Sequence, residues 1–381
     1  MKKITKIALA ITLALSLFSV PKAQRIEAQI EERNREAQNT KPKIQIAILL
    51  DSSNSMDGLI DQTRYQLWEI VNSLTKVTKD GVVPELEVAL YHYGNDSLPS
   101  SEGYLRLLKG FTPELDLISE NLFGIETNGG QEYAGWVIQS AMNELEWSDS
   151  NEDFKAIFIA GNEPFNQGPV NWEESVDIAL DKDTLINTIY CGGEESQERD
   201  LWATGATSGG GSHLVINQNQ EIAFIESPYD EEITLLNRDL NSTYIPYGLY
   251  GEEGLTRQAT EDSNAAEQIV TRGVSKVSGY YNNASWDLVD AIANDEVTLE
   301  ELDEEYLPSD LQDMDIEAQA EYIETQQNER NRIQERIREL SDLRDEYVET
   351  QREAQSEDTL DFVMISTLQN QLEEKGFTLN E

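Results

Sequence analysis

The chain has 381 residues and carries 28 lysines and arginines against 73 aspartates and glutamates, so its formal net charge is −45. So acidic a surface repels nucleic acids and anionic lipids, and both are excluded as expected partners. One cysteine and two histidines exclude a disulfide framework, a paired-cysteine zinc or redox site, and a three-histidine zinc site.

The N-terminal segment predicts a signal peptide over residues 1–23. Three lysines among the first six residues precede an apolar run, residues 7–20, which is too short to cross a bilayer. We expect cleavage after Ala23, a polar linker over residues 24–42, and an exported protein, periplasmic or secreted, with no stable membrane span after cleavage. The alternative interpretation of the same run is a membrane anchor that remains uncleaved.

Residues 43–225 predict an α/β domain. Apolar runs that are typical of buried strands occupy residues 44–50, 154–160, 185–191 and 213–216. Two more strands, over residues 86–92 and 104–108, are joined by too few residues for a parallel crossover and should form an antiparallel hairpin. Helical spacing marks residues 60–74, 134–145 and 171–180. The pattern predicts a doubly wound, mostly parallel sheet with one antiparallel edge strand.

The strand signal ends near residue 225, and residues 226–381 predict an all-α C-terminal region. Helical patterns cover residues 229–240, 257–276, 284–293 and 297–306, and an amphipathic helix near residues 360–372 closes the chain. A long charged helix at about 316–351 has a weak heptad seam. Packing on its own domain is favoured over a dimeric coiled coil, which stays open as the alternative.

A polar loop follows the first buried strand. Asp51, Ser53 and Ser55 stand where that strand ends and the first helix begins, and ligand sites form at this place in open α/β sheets. Carboxylate and hydroxyl oxygens suit a hard cation such as Mg²⁺. An EF-hand loop would need glycine and glutamate where Met56 and Gln62 stand. Helix capping is the alternative, but it accounts for only one of the three residues.

The Asp-x-Ser-x-Ser motif after an isoleucine- and leucine-rich strand resembles the metal-ion-dependent adhesion site of von Willebrand factor type A (VWA) domains. The resemblance covers about residues 43–225. It implies binding and not catalysis, because in that family a cation at the top of the sheet binds a carboxylate of a protein partner. Mg²⁺ is the expected ion, with Mn²⁺ or Ca²⁺ as alternatives. The implied metal ligands are Asp51, Ser53, Ser55, Thr127 and Gln131, and the implied partner contacts are Glu132, Asn162 and Glu163.

Two loops depart from the VWA pattern. Gln131 follows the glycine pair of the second loop, where the family usually has threonine. The third loop, which usually carries Asp-Gly, instead continues into Asn162 and Glu163. Asp51 is then the only formal charge among the ligands, unless Glu132 or Glu163 substitutes for the missing carboxylate.

Two hypotheses for the function remain, since the sequence contains none of the common nucleophile-elbow, phosphate-loop, dinucleotide or zinc-protease motifs. The pattern around His92 predicts a histidine in the core or at the rim of the sheet. Cys191 ends an apolar strand and is predicted to be a small buried hydrophobic residue. The first hypothesis is an exported adhesion-type module that binds an unidentified protein partner at the upper rim of the sheet. The second is a metal-free structural or assembly protein of the cell envelope that associates through its helical region. Residues 244–248 and 285–289 also look like a C-terminal region that accompanies some exported bacterial VWA proteins.

Overall fold

The computed structural model describes residues 41–192, 196–217, 225–351 and 360–379. The expected signal peptide, and the expected linker apart from its last two residues, lie outside the described residues. The described residues from Lys43 onward form one compact unit. None of the helices within the described ranges has both the length and the apolar character that crossing a membrane requires.

The strands that the structure describes form one large sheet and one two-stranded sheet. Their bounds are β1 (Lys43–Asp51), β2 (Val77–Thr78), β3 (Glu85–Tyr93), β4 (Leu105–Thr112), β5 (Phe154–Gly161), β6 (Leu185–Tyr190), β7 (Gly210–Val215) and β8 (Thr378–Leu379). The large sheet has the order β4-β3-β1-β5-β6-β7, and β2 pairs with β8. Within the large sheet β4 is antiparallel to β3 and the other pairs are parallel, which confirms the predicted fold class.

Helices connect the strands and build the C-terminal region. Those of the sheet domain are α1 (Asp57–Ser73), α2 (Leu115–Phe123), α3 (Ala134–Glu144), α4 (Trp172–Asp181) and α5 (Gln197–Ser208). Those that follow are α6 (Asp230–Asn241), α7 (Gly251–Ala265), α8 (Ile269–Ser275), α9 (Leu288–Ala293), α10 (Ser309–Gln312), α11 (Ile316–Gln351) and α12 (Leu360–Glu374).

The central strand β1 is buried on both faces of the sheet, which explains its unbroken apolar sequence. Ile46 and Ile48 point to one face and join a core that includes side chains of α1, α2 and α12. Ala47 and Leu49 point to the other face and join a core with side chains of α3, α4 and α5. Because successive side chains of a strand alternate between faces, one apolar run supplies both cores.

The last helix, α12, packs into the core of the sheet domain although about 140 residues separate it from β7. Leu368 and Leu372 are completely buried in the same core as α1. Asn187 of β6 and Gln371 exchange two side-chain hydrogen bonds, of 3.0 and 2.6 Å. The predicted boundary near residue 225 stays a prediction, but the sheet domain includes a helix from beyond it.

The helical region differs from its sequence pattern in several places, one of which is strand β8, because the sequence predicts this region as all-α. The expected helix over residues 257–276 is interrupted at Ala266, whose φ of +43° lies outside the helical range. The expected helix over residues 297–306 is wrong, since only a 3₁₀ turn at Glu304–Tyr306 forms there. The long helix α11 has the predicted bounds, and Ile333 and Ile337 on its seam are completely buried in a core that includes Ile233 of α6 and Val270 of α8.

A buried ionic cluster joins the helical region to the sheet domain. Arg272 of α8 is completely buried and pairs with Asp116 of α2 at 2.6 Å and with Asp262 of α7 at 2.6 Å. Lys276 also pairs with Asp262, at 2.6 Å, and the Tyr281 hydroxyl donates to Asp116. Because each buried charge has a partner, this junction fixes the position of α8 against the sheet domain.

Candidate functional site

Four loops meet at the carboxyl edge of the sheet, namely the loops that follow β1, β3 and β5 and the loop that precedes α3. The loop after β1 is attached to the end of β3 by the Ser52 amide, which donates to the Tyr93 carbonyl at 2.8 Å. The loop before α3 is attached to both, because Asn128 N donates to Ser52 O at 3.0 Å and Asp96 N donates to Gly129 O at 2.8 Å. The glycine pair identified in the sequence therefore lies beside the Asp51 motif.

Two buried carboxyl groups lie next to each other in these loops. Asp51 is completely buried and Glu132 is 6% exposed. A Cβ atom at Gly94 would lie 2.7 Å from Asp51 Oδ1 and 2.7 Å from Glu132 Cγ, so both side chains pack against this glycine. Asp51 Oδ1 accepts from the Ser53 amide at 2.8 Å. Asp51 Oδ2 and Glu132 Oε2 are buried and have no hydrogen-bond partner among the described residues.

The pair is electrostatically strained when both groups are ionised. Burial raises the pKa of Asp51 well above its usual range, and the neighbouring Glu132 carboxylate raises it further. Burial also raises the pKa of Glu132, and the charge of Glu163 acts in the same direction. Two carboxyl groups at such close range both stay ionised only if a cation offsets their charge, and otherwise the pair retains a proton.

The two serines of the motif lie on the open side of the carboxyl pair. Ser53 is buried and its side chain interacts with both Asp51 and Glu132. The Ser53 and Ser55 hydroxyl oxygens are 3.0 Å apart, and the exposed Ser55 is bonded to the Asn162 side-chain amide at 3.1 Å. The structure thus brings together five of the eight predicted site residues.

The other three predicted residues have different surroundings. The Thr127 hydroxyl donates to Asp57 at the start of α1. Gln131 is exposed, and its amide is not involved in any hydrogen bond that the described residues show. Glu163 is exposed, but its backbone amide approaches the Glu132 carboxylate and its carbonyl accepts from Trp202 Nε1 at 2.7 Å. Glu132, which the sequence assigns to partner contact, occupies the position next to Asp51.

Gly94 and Asn95, which the sequence analysis did not select, shape the site together with Gly130 of the glycine pair. Gly94 has a φ of +75°, which favours glycine, and a Cβ atom at Gly130 would lie 2.5 Å from the Gly94 carbonyl oxygen. Asn95 donates to the carbonyls of Ser52 and Glu126, at 3.2 and 2.9 Å. The sequence marks Gly94 only by its place just after a predicted strand, and this place does not reveal its positive φ.

A serine–histidine pair lies behind the site. His92 Nδ1 is 3.0 Å from the Ser52 hydroxyl, and burial together with the charge of Arg106 lowers the pKa of His92 to about 4. The pair resembles a nucleophile and its base in distance only, because Ser52 is completely buried and its hydroxyl also donates to the Tyr93 carbonyl at 3.1 Å. It therefore connects β3 to the Asp51 loop. Cys191 is buried, as predicted.

The donor set fits a hard divalent cation. Asp51, Glu132, Ser53 and Ser55 would supply two carboxylates and two hydroxyls, and oxygen donors of these kinds suit Mg²⁺, Mn²⁺ or Ca²⁺. No group of three or more histidine, cysteine, aspartate or glutamate side chains within the described ranges is arranged to hold a metal ion. A cation here would therefore depend on hydroxyl oxygens and retained water as well as on the two carboxylates.

Comparisons with known proteins show a similarity of fold and do not assign the chain to a family. No protein-family model and no curated protein matches the chain. Among solved structures it is similar to proximal thread matrix protein 1 from the mussel byssus, with 16% identity and a TM-score of 0.35 over 45% of this chain and 42% of that one. The chain thus spans about two fifths of the mussel protein's length.

In two further matches, the aligned region covers most of the other protein's chain. The VWA domain of SpRpn10 is 18% identical, with a TM-score of 0.33 over 45% of this chain and 87% of that one. An aerotolerance-related membrane protein from Bacteroides fragilis is 16% identical, with a TM-score of 0.29 over 46% of this chain and 93% of that one. The sheet domain, with its antiparallel β4 at one edge, thus has a VWA-like fold, and its similarity to these structures is one of fold alone.

Proposed function

We propose that this chain is a non-enzymatic binding module that recognises a protein partner at the carboxyl edge of its VWA-type sheet. In this proposal Asp51, Glu132, Ser53 and Ser55 hold a divalent cation, with Mg²⁺ as the expected ion. A carboxylate of the partner completes the coordination of that ion, and Asn162 and Glu163 lie at the rim to contact the partner. When bound, the cation supplies the positive charge that an acidic protein otherwise lacks at this edge.

The observation that carries the proposal is the pair of buried carboxyl groups with unpartnered oxygens, Asp51 Oδ2 and Glu132 Oε2. A buried polar atom without a partner costs free energy, and two adjacent acids cost more. A cation coordinated by both groups removes each of these costs. In this proposal Glu132 supplies the second negative charge, in place of the carboxylate that the third loop lacks.

The proposal is tested by melting the chain with MgCl₂, MnCl₂ or CaCl₂ and with EDTA. A ligand that binds only the folded state stabilises it by about 2.7 kcal/mol at a hundredfold excess over its Kd. Such a gain raises the melting temperature by several degrees. We expect this rise for the wild type and its loss in Asp51→Ala and Glu132→Gln.

The matched control is Glu126→Gln, which removes an exposed acid from the same loop region and should keep the cation response. Partner binding is then measured with a defined probe, a short synthetic peptide that carries a single glutamate, with and without EDTA. A wild type that shows no melting shift at millimolar cation would refute the cation site and, with it, the adhesion mode of binding.

A metal-free structural or assembly protein is the second candidate. Hydrogen bonds within the chain occupy several of the expected ligands, since Thr127 donates to Asp57 and Ser55 is bonded to Asn162. In this candidate the helical C-terminal region mediates association, and neither EDTA nor Asp51→Ala changes it. Sedimentation of the full chain and of its Asp51→Ala variant, with and without EDTA, distinguishes the two candidates.

We further propose that the protein is exported, to the periplasm or the medium, and is of the exported bacterial VWA type. The support is the order of basic residues and a short apolar run in residues 1–23. Expression of the full chain followed by mass spectrometry of the exported form should give a mature N-terminus at Gln24. An exported form that keeps Met1 would contradict the proposal.

A further inference from the structure

A short loop in the helical region displays the two most exposed large apolar side chains among the described residues. Leu249 is 79% exposed and Tyr250 is 67% exposed. They stand between the 244–248 motif and the start of α7, and we call these two residues the loop tip. Single exposed apolar side chains are ordinary, but an adjacent pair of a leucine and a tyrosine at this exposure is a candidate contact surface.

The loop tip is held by the second sequence motif, residues 285–289. Ile245 N donates to the Asp287 carboxylate at 2.7 Å, and Leu288 N donates to the Ile245 carbonyl at 2.8 Å. Tyr247 N donates to the Trp286 carbonyl at 2.9 Å, so the two motifs form a short ladder. Two segments that are about 40 residues apart in sequence therefore form one supporting unit.

A buried arginine of the long helix α11 anchors this unit. Arg330 is 1% exposed and pairs with Asp287, which is completely buried, at 2.6 Å. It also donates to the Thr243 carbonyl at 2.8 Å and lies over the Tyr244 ring at 4.3 Å from the centroid. The loop begins directly after these anchored residues, so its orientation is fixed by ionic and ring contacts.

The tip itself is a defined turn. Gly248 has a φ of +73°, a conformation that favours glycine, and its amide donates to the Tyr306 carbonyl at 2.9 Å. The Tyr250 carbonyl accepts from Gly254 N at 2.9 Å in the first turn of α7. Because the backbone on both sides of the tip is hydrogen-bonded, binding a partner costs little loop ordering, and the tyrosine and leucine can then act as anchors.

The surroundings of the loop tip are acidic. Glu252 and Glu253 lie in the first turn of α7, and Glu304 and Glu305 directly precede Tyr306; all four are exposed. Within the described ranges only Glu253 of these four pairs with a cation, Arg257. Anionic lipid and a second copy of this chain, itself at −45, are both disfavoured by this charge.

We propose that the loop tip, Leu249 and Tyr250, is a docking site for a protein surface that has an apolar pocket with a basic rim. The apolar side chains fill the pocket, and the surrounding glutamates pair with lysines or arginines at its edge. This interface lies in the helical region, uses none of the residues of the cation site, and should be insensitive to EDTA.

A phage-displayed library of random peptides, selected on the full chain with EDTA present, provides the defined probe. Clones that also bind Leu249→Ser/Tyr250→Ser are removed, and one enriched peptide is synthesised. We expect it to combine lysine or arginine with aromatic or aliphatic residues. Fluorescence anisotropy should show affinity for the double variant weakened by about tenfold or more, the size of a hot-spot loss.

The matched control is Val82→Ser/Val83→Ser, which changes another adjacent pair of apolar residues, each 44% exposed, and should bind the peptide like the wild type. Glu304→Lys/Glu305→Lys should weaken binding. Raising the ionic strength from about 0.1 M to about 1 M shortens the Debye length from about 10 Å to about 3 Å and should also weaken it.

Four outcomes would overturn the proposal. The first is a selection that gives no clone dependent on the loop tip, and the second is a set of dependent clones without basic residues. The third is a tip-dependent dimer of the wild type in sedimentation, which would assign the tip to a second copy. The fourth is tip-dependent binding to phosphatidylcholine vesicles, which would assign it to a lipid surface.

Discussion

Replacing Leu368 by alanine tests whether the C-terminal helix α12 belongs to the sheet domain. The Leu368 side chain is completely buried in the core that α1 and one face of the sheet also form. Truncating a fully buried leucine to alanine costs about 2–5 kcal/mol, because transfer free energy is lost and a cavity remains. At about 2 °C per kcal/mol for a unit of this size, the melting temperature should fall by roughly 4–10 °C.

The assay is calorimetry of the full chain and its variant, supported by urea unfolding followed by circular dichroism. The matched control is Leu343→Ala on α11, where the side chain is 42% exposed and the expected change is within about 0.5 kcal/mol. A melting temperature of Leu368→Ala equal to that of the control would refute the reasoning, because it would mean that α12 is not part of the core in solution.

The same packing bears on the predicted boundary near residue 225. Removal of α12 and the chain end exposes the core side chains that contact Met364, Leu368, Leu372 and Phe377. At about 1.5–3 kcal/mol for each buried side chain, the loss is roughly 6–12 kcal/mol, which is comparable to the whole stability of a domain. We therefore expect that limited proteolysis yields no stable fragment that ends near residue 225, and a stable fragment without residues 360–379 would contradict the packing argument.

Three further predictions follow from buried charge and from the site. Arg272→Ala leaves the buried Asp116 without its cationic partner, with only the Tyr281 hydroxyl still donating to it, and should lower the free energy of unfolding in urea by about 3–5 kcal/mol. Gly94→Ala forces a Cβ atom to within 2.7 Å of Asp51 Oδ1 and should abolish the cation-induced melting shift. Burial opposes the ionisation of Asp262, but the charges of Lys276 and Arg272 outweigh it and lower the pKa of Asp262 from 3.8 to about 2. The ionised Asp262 therefore stabilises the folded state above about pH 4, and this contribution is lost as the pH falls towards 2. We expect this pH dependence to disappear in Asp262→Asn.

Controls for these predictions lie elsewhere in the chain. Arg332→Ala removes an arginine whose side chain is 66% exposed and should leave stability nearly unchanged. Gly110→Ala introduces a Cβ atom that meets nothing within 4 Å and should keep the cation response. The prediction for Arg272 is contradicted if Arg272→Ala has the same stability in urea as the wild type. The prediction for Gly94 is contradicted if Gly94→Ala keeps the cation-induced melting shift. The prediction for Asp262 is contradicted if Asp262→Asn still loses stability between about pH 4 and pH 2 as the wild type does.

The sheet could be predicted from the sequence because burial on both faces leaves a continuous apolar run. Ile46 and Leu49 illustrate this, since they point to opposite faces and are both core residues. The docking of α12 could not be predicted in the same way. Its leucines mark an amphipathic helix, but amphipathicity does not say which surface the apolar face covers, and here the surface is the sheet domain.

The candidate site was predictable where it is local and unpredictable where it depends on distant loops. Asp51, Ser53 and Ser55 are close in sequence, and their spacing carries the prediction. The approach of Glu132 to Asp51 depends on the backbone of Gly94, whose positive φ cannot be read from the residues around it.

Buried cations have a positional role in this acidic chain. Arg272 and Arg330 each contact two carboxylates, and Lys276 shares Asp262 with Arg272. Replacement of buried ion pairs by apolar residues is often neutral or stabilising, so their presence is weak evidence for added stability. Their directional hydrogen bonds do fix relative positions, because a guanidinium between two carboxylates tolerates little sliding. Arg272 thus orients the helical region against the sheet domain and Arg330 orients the loop tip, and since buried pairs are screened far less than exposed ones, both orientations should persist at high salt.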